Sequence, residues 1–256
     1  MRRYDCVYFM HVNTMSLNIK SIPLNRLKYD SEGEGMASAT IEEYLEMVYR
    51  LDQKGGPVIG ARLAEAVGVS APTVTQTLKR MVKDGYVRMN AQKEIALTPA
   101  GMEQVRSIQR RHRLSELLLT DILGFDWLRA HNEAVKFQHV LSPEVATAIS
   151  RTLGDPLTCP HGNPIPGNIP DDYTEEDLRS LAVVPVGETV IVRRITEDGE
   201  EEPQLLGYFY EKGLMPGTIL TVLEQAPYAG TVTIQKDDRV MALGVRAAQE
   251  LLVAPA

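Results

Sequence analysis

Three of the chain's five histidines fall in one stretch, Gln109 to Glu144, at spacings that suit chemistry. His112 and Glu116 are four residues apart, so on a helix they share a face. His131, Val135 and His139 step by four along the segment that follows. Leu114, Leu117, Leu118, Ile122 and Leu123 recur at helical spacing between the two groups. Two imidazoles and a carboxylate on packed helices form a donor set for a transition metal. A helical hairpin whose histidines are merely polar or core-satisfied fits the same pattern. Cys159 and His161, two apart in CPHGNPIPGNIP, add only a weak metal signal, because zinc-type sites use two such pairs.

Whole-chain properties narrow the setting. A length of 256 residues allows about two domains. No run of 18 or more apolar residues is present, so no transmembrane helix is expected. The start, MRRYDCVYFM, lacks the apolar core and cleavage site of a secretory signal. The two cysteines, Cys6 and Cys159, fit a reducing, cytoplasmic compartment better than a disulfide framework. A net charge of −7 argues against an indiscriminate polyanion binder, but a locally basic face can still meet DNA.

The elements that would position these residues read in order. Residues 1–37 show no sustained period and are expected to pack little; Met36 is a candidate start, preceded by Glu-Gly-Glu-Gly. From residue 38 the pattern sharpens. Thr40 can cap a helix with Glu42 and Glu43 in its first turn and a stripe of Ile41, Tyr44, Leu45, Val48 and Leu51. A short helix over 61–67 ends at Gly68; Ser70 and Pro72 open a third, which stops at Gly85. Residues 86–89 and 94–97 read as two strands around a turn. This succession predicts a winged helix-turn-helix over residues 38–98. In the third helix Val74, Leu78, Met81 and Val82 form the expected buried side. The DNA-facing candidates are Arg62, Ser70, Pro72, Thr73, Thr75, Gln76, Arg80 and Lys93, with Gln76 able to read adenine through a bidentate pair. Between Gly60 and Glu94 six basic residues face three acidic ones, so the region is basic although the chain is acidic. The alternative is a small helical domain with a solvated polar face.

Residues 99–170 predict three helices: from Thr98-Pro99 to about Leu123, from Trp127 to Leu141, and from Ser142-Pro143 to near Gly154. Leu117-Leu118-Leu119 exceeds one stripe and suits a homodimer seam. The Pro/Gly-rich loop and acidic residues 171–177 read as a tie to a last domain, residues 171–256. There, five short β-rich runs (189–195, 205–210, 219–223, 231–234 and 240–243) predict an SH3-like β-barrel. The expected class is therefore α+β.

APTVTQTLKRMVKDGYV, RRHRLSELLLTDILG, AHNEAVKFQHVLS and GNPIPG, in this order, resemble the iron-dependent repressor family of the diphtheria toxin repressor and manganese transport regulator type. The similarity runs from about Thr40 to the C-terminus. It implies a dimeric transcriptional regulator activated by Mn²⁺ or Fe²⁺, with a winged helix, a helical dimerisation domain and an SH3-like domain. It also implies one metal site at His112, Glu116 and His131, completed by Glu201 and Gln204, with Arg113 and Asn163 holding an anion beside it. A second implied site uses His139, Glu43, Glu46 and Gln138. Val135 stands where the family places a Cys or Glu ligand, and Gln138 where it places Glu. Valine coordinates nothing, and glutamine offers only a neutral carbonyl oxygen.

The resulting expectation is a metal-dependent regulator, a repressor of metal-uptake genes, bound to a pseudo-palindromic operator in double-stranded DNA. Metal would tie the first helix, through Glu43, to the dimerisation helices, through His139. The principal rival is a winged-helix regulator with an altered or lost metal response at the second site. A metal-dependent hydrolase is remote, since no HExxH or comparable motif occurs. An SH3-like partner-binding module lacks an evident aromatic cluster.

Overall fold

The computed structural model describes residues 37–170, 173–174 and 177–256. The expectations for the N-terminal extension and the start at Met36 lie outside these residues, as does part of the acidic tie.

Helix α1 (Ala39–Gln53) buries its expected stripe, but Ser38 rather than Thr40 stands at its N-cap, without a side-chain cap bond. Helix α2 (Gly60–Val67) ends at Gly68 in the left-handed region. Helix α3 (Ala71–Lys83) is capped by Ser70, whose side chain accepts from the Thr73 amide at 3.4 Å. Val74, Leu78 and Met81 are buried, whereas Val82 is 43% exposed. One residue beyond Met81, it is rotated by about 100° off the buried stripe. Strands β1 (Val87–Met89) and β2 (Ile95–Leu97) pair antiparallel as the wing. Asn90 closes their turn by accepting from the amides of Gln92 and Glu94 at 3.0 and 2.9 Å. These elements share one core around Tyr44, Leu45, Leu63, Leu78 and Met81.

Helix α4 (Pro99–Leu117) starts at a Thr98 cap. A Cβ on Gly101 would lie 2.1 Å from the Tyr86 carbonyl oxygen, so only glycine lets α4 leave packed on the wing. The expected continuous helix to Leu123 changes winding: Leu118–Ile122 is a π-helix. Helix α5 (Trp127–Phe137), capped by Asp126, stops short of the expected Leu141, and Gln138 and His139 sit in the turn that follows. Helix α6 (Pro143–Thr152) completes this layer.

The last region is a six-stranded antiparallel sheet in the order β3-β8-β4-β5-β6-β7. Its strands are β3 (Arg179–Ser180), β4 (Thr189–Ile195), β5 (Ile219–Ala226), β6 (Thr231–Lys236), β7 (Arg239–Gly244) and β8 (Leu251–Pro255). Helices α7 (Glu197–Glu200) and α8 (Pro203–Lys212) separate β4 from β5, and α9 (Val245–Gln249) precedes β8. The strand expected over residues 205–210 is instead inside α8. Its aromatic and aliphatic residues suit a strand locally, but Pro203 opens a helix, Leu206 and Phe209 bury one helical face, and Gly213 closes it in the left-handed region. Trp127 of α5 joins the barrel core, so the helical layer and the barrel share a seam beside the histidines.

Candidate metal centre

Three imidazoles converge on one buried oxygen. Glu116 Oε1, on α4, lies 3.0 Å from His112 Nε2 one turn earlier, 2.9 Å from His131 Nδ1 of α5, and 3.2 Å from His161 Nδ1 of the CPHG loop. Glu200, at the end of α7, brings Oε1 within 3.2 Å of the same His161 nitrogen. Cys159 Sγ stands 4.0 Å from His161 Nδ1. Two groups of donor atoms, each within 4.8 Å of one another, result: His112, Glu116, His131 and Glu200; and Glu116, Cys159 and His161. Glu116 belongs to both.

The fold explains the convergence. The i,i+4 spacing stacks His112 over Glu116. The α4/α5 packing supplies His131. His161 depends on Gly162, where a Cβ would lie 2.0 Å from the Arg193 carbonyl oxygen of β4. The loop therefore presses on the barrel, and the His161 carbonyl accepts from the Ile195 amide at 2.9 Å. Trp127 packs edge-on against the His161 ring at 4.7 Å between centroids.

These residues fit a divalent cation. Glu116 Oε2 and His161 Nε2 are buried without a hydrogen-bond partner. Leaving such polar atoms unsatisfied is costly, and a cation held by Glu116 would engage its carboxylate. Donor spacings near 3 Å are also those of neighbours around a small ion with bonds of about 2.1 Å. Burial pulls the His112 pKa down, but the charge and hydrogen bond of Glu116, helped by Glu200 and Glu46, override it and raise it to about 9. Burial opposes the His161 charge too, yet Glu116 moves that pKa well above its ordinary value. Glu116 is held well below the carboxylate range because His161 and His112 outweigh its burial. The Cys159 thiol is pushed up to about 12 by burial and by Glu116 and Glu200, so a thiolate there needs a cation beside it.

Protons therefore compete for the donors. Cation affinity is expected to rise with pH until His112 loses its proton near pH 9. Calorimetry in buffers of different ionisation enthalpy should show proton release on binding; an affinity flat from pH 6.5 to 9 would contradict this. In the metal-free protein the sign is opposite. The raised His112 pKa stabilises the fold fully below its unfolded value of 6.5, and that contribution is lost as pH rises through about 9.

The other residues singled out in the sequence lie as follows. Glu201 does not enter the donor groups: it pairs with Arg50 of α1, which lowers its pKa despite burial. Gln204 is exposed on α8. Glu200, the residue just before Glu201, is the carboxylate from this region that reaches the histidines. Arg113 and Asn163 both hold carboxylates of the chain itself: Arg113 pairs with Glu197, and Asn163 donates to Glu200. Cys159 and His161 were weak in sequence because their partners lie far along the chain, Glu116 upstream on α4 and Glu200 downstream on α7.

At the second cluster, Glu43 is exposed at the mouth of a cavity of about 190 Å³ that Glu46, Val135, Gln138 and His139 also line. Neither donor group among the described residues includes Glu43, Glu46 or His139. Glu42, buried, takes the position facing His139, with Oε2 2.7 Å from His139 Nδ1. The Gln138 side chain approaches Glu46 at 3.1 Å and His112 at 2.8 Å.

On the winged helix, Ser70, Pro72, Thr73, Thr75, Gln76, Arg80 and Lys93 are all exposed. The Thr75 hydroxyl bonds back to the Ala71 carbonyl at 2.9 Å, leaving its methyl as the outward group. Arg62, half-buried, donates to the Pro57 carbonyl at 2.8 Å, so it braces the loop before α2.

Comparison with known proteins agrees with this architecture. Residues 36–95 match the iron dependent repressor N-terminal DNA binding domain, residues 98–167 the iron dependent repressor metal binding and dimerisation domain, and residues 179–255 the FeoA domain. The chain is 36% identical over 203 residues to the iron-dependent repressor IdeR of Mycobacterium leprae, covering 76% of this chain and 87% of that protein. It is 42% identical over 128 residues to the diphtheria toxin repressor of Corynebacterium diphtheriae, covering 50% and 57%. A solved manganese-dependent transcriptional repressor in complex with manganese superposes with a TM-score of 0.74 at 31% identity, covering 84% of this chain and all of that one. The winged helix, the histidine-bearing helices and the barrel thus match in a single order, and the chain belongs to the iron-dependent repressor family.

Proposed function

We propose that this chain is a cytoplasmic, homodimeric repressor of metal-uptake genes that binds a pseudo-palindromic operator in double-stranded DNA when Mn²⁺ or Fe²⁺ is bound. The carrying observation is the convergence of His112, His131 and His161 on Glu116 Oε1. The donors fall into two groups that share Glu116: one adds His112, His131 and Glu200, the other Cys159 and His161. A bound ion supplies charge and cross-linking here, not catalysis. The family match is to DNA-binding regulators rather than enzymes, which sets aside the hydrolase reading. Each group mixes imidazole, and in one case a thiol, with carboxylate, which is softer than oxygen alone and favours Fe²⁺ over Mn²⁺ in intrinsic affinity.

The route from this centre to DNA runs through α7. Glu200 at its end faces the histidines, while the adjacent Glu201 pairs with Arg50 and Asp198 pairs with Lys54 at 2.9 Å, both near the end of α1. Drawing Glu200 onto the cluster thus fixes the segment that grips the DNA-binding domain. No helix among the described residues is long and apolar enough to cross a membrane. Exposed Ile122, Leu123 and Val140 on the helical layer, together with the match to a dimerisation domain, support the homodimer. Two recognition helices would then stand about one DNA turn apart.

Fluorescence anisotropy with operator DNA tests the reading: binding should tighten about tenfold or more with Fe²⁺ or Mn²⁺, and equal affinity in chelator would defeat it. Gln76→Ala should relax preference at one base position by about 1–3 kcal/mol while leaving metal uptake unchanged. An unaltered sequence preference in a binding-site selection would remove Gln76 from base reading.

A further inference from the structure

The second cluster, around His139, departs from what a metal site needs. Val135 offers no donor. Glu42 has both carboxylate oxygens engaged: Oε1 accepts from Arg111 Nη2 at 2.6 Å, and Oε2 faces His139 Nδ1 at 2.7 Å. Arg111 and Glu42 are both buried, and Arg111 also donates to the Gln138 carbonyl. That fixed positive charge repels a second cation. His139 has both ring nitrogens occupied, Nδ1 by Glu42 and Nε2 by the Gln138 amide nitrogen at 3.3 Å. The Gln138 amide is used at both ends: Oε1 meets His112 Nδ1 at 2.8 Å, and Nε2 donates to Glu46 Oε2 at 3.1 Å. Only this amide orientation works, because the Glu46 carboxylate accepts and cannot donate.

Gln138 Oε1 accepts from His112 Nδ1 and so turns Nε2 toward Glu116. The amide N–H takes the His139 Nε2 lone pair, so the His139 proton sits on Nδ1 and is donated to Glu42. The network runs unbroken from Arg111 on α4, through Glu42 on α1, to His139 and Gln138 after α5, and back to Glu46 on α1.

We propose that this network is a metal-free strut: hydrogen bonds and one buried ion pair make the connection between α1 and the helical layer that an ion would otherwise make. The side chains do not fit a cation, and the strut fills its place. A buried carboxylate whose oxygens are both bonded, beside a guanidinium, must lose those partners before it can coordinate. The strut rests on the proposed function for its regulatory meaning. It places metal control in the cluster around Glu116 alone and holds α1 docked in both states. Gln138 is a positioning residue that links the two clusters by holding the His112 ring from one end of its amide and Glu46 from the other.

Equilibrium dialysis of the full chain with Mn²⁺ tests this. His139→Gln keeps an amide donor for Glu42 but removes the imidazole, and it should bind as many Mn²⁺ ions per chain as the unaltered protein. Loss of one ion would overturn the strut. The double variant Val135→Glu, Gln138→Glu should gain one ion per chain; an unchanged count would mean the site was already filled, and would overturn it too. Hydrogen exchange gives a readout independent of metal counting. In chelator, Glu42→Gln should speed exchange of α1 amides at least tenfold, whereas unchanged α1 protection would show that the network does not hold the helix. Glu116→Gln, run in parallel, separates the two ideas: if it retains every ion, the proposed function fails while the strut stands on the other variants.

Discussion

Glu116→Gln is expected to abolish the metal response of DNA binding while leaving metal-free DNA binding unchanged. Glu116 is fully buried, and its Oε1 is the one atom that three imidazoles share. The amide keeps the volume but removes the charge, and with it the main attraction for a cation in a buried site. The lost coupling should be about 1–3 kcal/mol, the usual range between an effector and a distant ligand. A second effect distinguishes lost charge from disturbed folding. Glu116 leads the influences that raise His112 to about 9 against the pull of burial, so the variant's His112 should titrate lower by NMR. Normal metal activation in Glu116→Gln, with His112 still titrating near 9, would move the regulatory site elsewhere.

Gly162→Ala should separate the CPHG loop from the barrel and take His161 and Cys159 out of the cluster. The residue has φ +87°, and an added Cβ would lie 2.0 Å from a backbone oxygen of β4, which cannot rotate away. Left-handed backbone costs an alanine about 1–2 kcal/mol, and the clash adds to it, so a total of about 2–4 kcal/mol is expected. Chemical denaturation measures the loss. His161→Ala is the control for chemistry: it should weaken metal binding with a smaller loss of stability. If Gly162→Ala were as stable as the parent and bound metal equally well, the loop's close approach to β4 would not be what places His161.

The sequence carried much of this architecture, for identifiable reasons. Periodic apolar stripes and local start and stop signals, such as Ser70 and Pro143 at helix starts and Gly68 at a helix end, set the helices of the first two regions within a few residues. Turn residues exposed four of the barrel strands. Residues 205–210 misled because LLGYFY has strand-like composition, whereas Pro203, Gly213 and the packing of Leu206 and Phe209 against the barrel together decide for a helix. At the metal centre, His112, Glu116 and His131 were legible through helical spacing. His161, Cys159 and Glu200 were not, because a loop and the barrel deliver them from far along the chain. Around the second cluster the sequence showed the missing donor, Val135. It did not show that Glu42 rather than Glu43 faces inward, nor that Arg111 would be buried against it. That choice depends on the rotation of α1 within its core, which no local pattern fixes to one residue.

Trp127, the single tryptophan of the chain, reports directly on the centre because it packs against His161 at 4.7 Å. Its emission and the anisotropy of labelled operator DNA can be followed together in one Mn²⁺ titration. If metal at the Glu116 cluster is the switch, Trp127 is quenched and DNA is bound over the same range of metal concentration. DNA binding that saturates with metal while Trp127 emission stays constant would contradict the account.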